Sequence, residues 1–160
     1  MTLDEFASSD VKQEVDLMTA AFFRAVSFEA GDQPRYNDLY KLFIGNGLLI
    51  KNSGPAPEIA SIAQFIEPRQ RLVSSGELTR FEEVELAEIT GAFGTVAHRL
   101  STYAKSGILN GKSFEARGMI STQFILTPDG WRMSAMAWDD EGPQHEIPER
   151  YKGNLPREFG

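Results

Sequence analysis

At residue 79 the hydrophobic pattern of this chain changes its period. Four β-rich runs follow, over residues 79–90, 95–105, 113–126 and 131–138. They are divided by Gly91-Ala92-Phe93-Gly94, by a loop holding Asn110-Gly111, and by Thr127-Pro128-Asp129-Gly130. Asn-Gly is a strong hairpin dipeptide because both central turn positions take positive φ. The last group sets Pro and Gly at favoured β-turn positions. Connections this short join neighbours, so the pattern predicts a four-strand antiparallel meander.

Upstream the period is helical. Val11, Val15, Met18, Phe22 and Val26 recur at steps of four, three, four and four, one face of a helix that Gly31 stops. Asp10 and Gln13 read as a capping-box variant at its start. Pro34 suits the first turn of a second, short helix with Tyr36, Leu39, Tyr40 and Phe43 on its inner face. Gly45-Asn46-Gly47 ends it, and Leu48, Leu49 and Ile50 read as a short strand. Pro57 opens a third helical stretch carrying Ile59, Ile62, Ala63 and Ile66, which Pro68 is expected to kink or split.

Helices followed by a meander define an α+β fold. The N-terminal helices are expected to pack on the concave face of one curved, mainly antiparallel sheet, leaving a pocket between the layers. Residues 1–140 form the single domain, and residues 141–160 a polar tail pinned by Ile147, Tyr151 or Phe159. The 16 Lys+Arg against 23 Asp+Glu give a net charge of −7, which argues against a nucleic-acid surface. No apolar run approaches the ~20 residues that cross a bilayer, so no membrane partner is expected. The absence of cysteine excludes disulfides and thiolate metal sites. The first twenty residues lack a basic start and an apolar stretch, and a cytoplasmic location is the resulting expectation.

The second half carries more specific runs: Phe93-Gly94-Thr95-Val96-Ala97-His98 with Ser101-Thr102-Tyr103, Arg117-Gly118 with Ser121 and Gln123, Gly130-Trp131-Arg132-Met133 with Trp138 and Glu141, and Ile147-Pro148 with Arg150-Tyr151. Together with the element order they resemble the cone-shaped nuclear transport factor 2-like superfamily, also called SnoaL-like, and within it an uncharacterised bacterial group. The resemblance implies a cone fold over about residues 10–151 and a homodimer through the sheet. It does not imply one function, since the superfamily holds isomerases, dehydratases and non-catalytic binding domains.

His98 is mid-strand and shares its parity with Val96, Leu100 and Thr102. It is the candidate proton carrier of a lyase or isomerase acting on a small hydrophobic substrate; the plainer reading is a structural histidine. Arg117 and Gln123 share a strand face that suits either a carboxylate or carbonyl group, or a dimer interface. Phe22, Tyr40, Phe65 and Trp138 are candidate walls for an unidentified small hydrophobic ligand, with core packing as the alternative. The acidic stretch Glu77, Glu82, Glu83, Glu85 and Glu88 reads as a solvated edge strand. No metal site and no cofactor is expected. Small-molecule binding ranks first, acid–base catalysis through His98 second, and a non-catalytic homodimeric module third.

Overall fold

The computed structural model describes residues 9–152. Helix α1 (Ser9–Val26) is followed by a 3-10 turn (Tyr36–Asp38) and the single turn α2 (Leu39–Leu42). Strands β1 (Phe43–Lys51) and β2 (Glu58–Ala60) precede helix α3 (Ile62–Ser74). Then come β3 (Leu78–Phe93), β4 (Val96–Leu109), β5 (Lys112–Thr127) and β6 (Gly130–Asp140), and a 3-10 turn (Glu149–Tyr151). The six strands form one curved, unclosed sheet in the order β2-β1-β6-β5-β4-β3. All neighbours are antiparallel except β1 and β6, which run parallel.

The predicted meander is β3 to β6. Asn110 and Gly111 both have positive φ, as the Asn-Gly hairpin requires. The α+β class and the packing of helices on one face of the sheet also agree with the sequence reading.

The first half departs from that reading in instructive ways. Helix α1 ends at Val26 instead of near residue 30. Phe28 is drawn off into a bridge with Phe81 of β3, N to O at 2.7 and 3.1 Å. Gly45-Asn46-Gly47 does not end a helix; it lies inside β1, where the register with β6 shifts between Phe43 and Leu48. Residues 58–60 pair with β1 instead of opening a helix, and α3 begins at Ile62 behind a complete capping box of Ser61 and Gln64. Pro68 sits inside α3, which continues through it to Ser74.

The core lies between the helices and one sheet face. Phe22, Leu39 and Phe65 from the helical side meet Tyr103, Ile120, Phe124 and Met133 from the strands. Period-two alternation assigns the neighbours of these strand residues to the opposite face. Across that face runs the segment after β6. Thr102 donates to the Tyr151 carbonyl at 2.6 Å, and Ile147 is buried. Both were expected to pin the tail; Phe159 lies outside the described residues.

Candidate functional site

A cavity of about 430 Å³ opens between α1, α3 and the sheet. Six rings line it: Phe22, Tyr36, Phe65, Phe81, Phe114 and Trp138. Amphipathic spacing on α1 and α3 turns Phe22 and Phe65 inward. Phe65 meets Trp138 of β6 edge to face, with centroids 5.9 Å apart. On the far side Phe81 of β3 lies 6.2 Å from Phe114 of β5. These two rings meet across β4 at Gly107, where a Cβ would stand 2.7 Å from the Phe114 ring and 2.4 Å from the Arg80 carbonyl. Only glycine lets the strand pass beneath them.

Six polar side chains line this volume: Tyr36, Lys51, Glu58, Arg69, Glu83 and Lys105. Lys105 is neutralised by Asp140, Nζ to Oδ1 at 2.9 Å. The Tyr103 hydroxyl donates to the same carboxylate. Burial and the negative charge of Asp140 push the Tyr103 phenol well above its usual range, so it stays protonated. Gly118 makes this possible, because a Cβ there would stand 2.2 Å from the Tyr103 hydroxyl.

Arg69 is held by its own helix. Its guanidinium lies 3.7 Å from the centroid of the Phe65 ring and donates to the Phe65 carbonyl at 2.9 Å. Among the described residues no carboxylate comes within ion-pair distance of it. Burial lowers its pKa, while Tyr36, Glu58 and Glu83 act on it from longer range.

Glu83 is the site's titrating group. It is half-buried and lines both this cavity and a shallower opening between α1 and β3. Among the described residues no donor binds its carboxylate. Burial pushes its pKa up to about 7, with Asp140 adding to the rise and Lys105 and Arg69 opposing it. Burial likewise raises the Tyr36 phenol, with Arg69 opposing. A carboxyl of this kind can hold or release a proton near neutrality inside an apolar volume, and the arginine can pair with an anion.

The sequence-derived candidates divide between this cavity and other surfaces. Phe22, Phe65 and Trp138 line it. Tyr40 does not: it is 52% exposed. The turn before it winds as a 3-10 helix, which eclipses Tyr36 with Leu39 and rotates Tyr40 outward. His98 lies between buried Ala97 and Arg99 and therefore faces the other way. It is exposed and opens, with Gln123, onto a shallow depression beside Phe93 and Val96. His98 and Gln123 are register partners across β4 and β5. Arg117 is on that same opposite face, paired with Glu141 at 2.8 Å. Its guanidinium is engaged by the segment that follows β6. Among the described residues no group of acidic or histidine side chains has the geometry to hold a metal ion.

The acidic stretch needs a correction as well. β3 is an edge strand, as expected. Yet Glu83, Glu85 and Glu88 all face the helices, because a bulge between Glu85 and Ala87 shifts the alternation. Glu85 binds Arg99 through two oxygens at 2.6 and 3.0 Å, and Asp16 of α1 completes the clamp at 2.6 Å. This buried network ties α1 to the sheet at some distance along β4 from the cavity.

Similar solved structures agree with this architecture. A nuclear transport factor 2-like superfamily protein from Salmonella enterica serovar Typhimurium superposes with a TM-score of 0.71 at 17% identity, over 89% of this chain and 99% of that one. An NTF2-like protein with a cystatin-like fold from Novosphingobium aromaticivorans gives 0.63 at 15% identity, over 91% and 88%. The chain has the nuclear transport factor 2-like fold. A further NTF2-like protein of unknown function, from Prochlorococcus, matches with a TM-score of 0.62 at 14% identity, over 81% and 91%. No family model and no curated protein sequence matches the chain. Among the described residues of this NTF2-like fold, no helix is long and apolar enough to cross a membrane.

Proposed function

We propose that the chain binds a small, largely apolar molecule in the cavity between α1, α3 and the sheet. The observation that carries this reading is the pairing of an aromatic wall with unused polar capacity. Arg69, Tyr36 and Glu83 all reach the cavity with hydrogen-bonding groups that no described residue satisfies. Its volume is in the range of small-molecule sites. Neutral one- and two-ring aromatic fragments, screened by ligand-observed NMR, test it. Binding is expected, and is expected to weaken in Leu72→Trp, whose larger side chain intrudes on the cavity. Binding left undiminished by this substitution, in a protein with an unchanged circular dichroism spectrum, would place the ligands elsewhere and sink the proposal.

A second reading, acid–base chemistry on the bound molecule, is supported by Glu83 and not by His98. The carboxyl sits in the cavity with a pKa near 7, whereas His98 opens on the other face of the sheet. Deuterium exchange into the α-carbon of phenylacetone, followed by NMR, checks this. Glu83→Gln is expected to remove any acceleration, and His98→Gln to leave it intact.

The exposed sheet face supports a homodimer. Val84, Ile89 and Val96 are 39%, 41% and 43% exposed there, and half-buried Leu100 and Ile125 join them. Light scattering is expected to show a dimer that Val96→Glu converts to monomer. A monomeric parent protein would remove this part of the proposal.

A further inference from the structure

We propose that the ligand of this cavity is a monocarboxylate with a planar, apolar body, its carboxylate seated on Arg69. The inference rests on the small-molecule reading above and narrows it to a chemical class.

A guanidinium removed from water normally finds a carboxylate, because an unpaired buried charge is costly. Among the described residues, half-buried Arg69 has its stack on Phe65 and one bond to the Phe65 carbonyl. That contact fixes the plane of the fork and leaves most of its N–H donors unused. The other cations of the cavity are differently placed. Lys105 is paired with Asp140, and Lys51 sits opposite Glu58 in the β1–β2 register. Among the described residues Lys51 has no ion pair either, but Arg69 is the cation whose planar fork is already oriented, by its stack on Phe65.

The neighbours of Arg69 suit a carboxylate. The Tyr36 hydroxyl faces the same volume and is kept protonated by burial. Glu83 keeps its proton up to about pH 7 and so offers an O–H donor on the acid side of neutrality. A phosphate dianion fits poorly. It would bring two charges to a site where Lys105 is already neutralised and Glu83 must stay uncharged. The aromatic pairs Phe65–Trp138 and Phe81–Phe114 on either side fix the shape of the remainder as flat and apolar.

The test is calorimetry on the full chain at pH 6 with 2-naphthoate, 2-naphthamide and 2-naphthyl phosphate. Naphthoate is expected to bind at least about tenfold more tightly than the amide, the size of one charge-assisted bond, and more tightly than the phosphate. Arg69→Gln should remove that preference while changing the amide's affinity less than about twofold. Arg69→Lys guards against a folding defect and should retain only part of the preference, since an ammonium lacks the planar fork. If the amide binds as tightly as naphthoate, the carboxylate inference fails and the cavity reading stands. If the phosphate binds best, the site is a phosphate site and the inference is again overturned. If no naphthyl compound and no neutral fragment binds, both fall together.

Discussion

Two glycines, Gly107 and Gly118, keep the strands around the cavity free of clashes. At Gly118 the Tyr103 hydroxyl and the Asp139 carbonyl both lie 2.2 Å from where a Cβ would be. Gly118→Ala must therefore displace Tyr103 from Asp140 or bend β5. A loss of about 3 kcal/mol is expected from overpacking of this kind, measurable by denaturant unfolding. Gly54→Ala, where nothing lies within 4 Å, is the control; it should change stability by less than about 0.5 kcal/mol. Glu83 adds a dependence on pH. Its folded pKa is raised from 4.5 to about 7, so the folded state holds a proton that the unfolded chain releases earlier. This contribution is fully present below about pH 4.5 and is lost as the pH rises through about 7. Stability should fall over that window, by on the order of 3 kcal/mol at most. Urea titrations should show Glu83→Gln with a flatter profile; an equal slope in both proteins would contradict the assignment.

At the scale of elements, legibility follows the range of the forces involved. The meander was readable because each of its turns is written in adjacent residues. Phe22 was readable because helical spacing alone turns it inward, whereas Phe65 stands outside the Ile59, Ile62, Ala63 and Ile66 spacing and was a candidate for its ring. Long-range pairing was not. Nothing near Phe28 announces its bridge to Phe81, and nothing near Glu58–Ala60 announces a partner in β1. The bulge in β3 brings Glu88 to the face of Glu83 and Glu85, which a count by twos does not. The same parity question placed His98, Arg117 and Gln123, since one residue of slip exchanges the faces of a strand. Arg69 was missed because it follows Pro68, at the place where the helix was expected to break. That helix depends on its first turn. Ser61→Ala removes the hydroxyl that accepts from the Gln64 amide at 3.1 Å. It should lower stability by about 1 kcal/mol, read from thermal melts, and loosen the helix that presents Phe65 and Arg69.

For the molecule as a whole, the two sheet faces have separate duties. One face and the helices enclose the cavity, and the other is shared between exposed apolar residues and the segment after β6. The acidic charge divides in the same way. Part of it is drawn inward as Glu83, Glu85 and Glu88, so the formal −7 overstates what the outer surface of the edge strand presents.

The parallel pairing of β1 with β6 also bears on how the protein comes into being. Strands β3 to β6 can pair in order as they are synthesised, each with the one before. β1 is made early, yet its place is beside β6, with Leu48 to Lys51 alongside Ala135 to Trp138. Until β6 has left the ribosome, β1 and β2 have no sheet to join, and Phe65 has no Trp138 to close against. Joining strands so far apart in sequence is slow because the intervening loop must first be ordered. During that interval the aromatic wall of the future cavity is open to water. The cavity therefore cannot be closed before β6 is made, and its Trp138 wall is missing until that strand is in place.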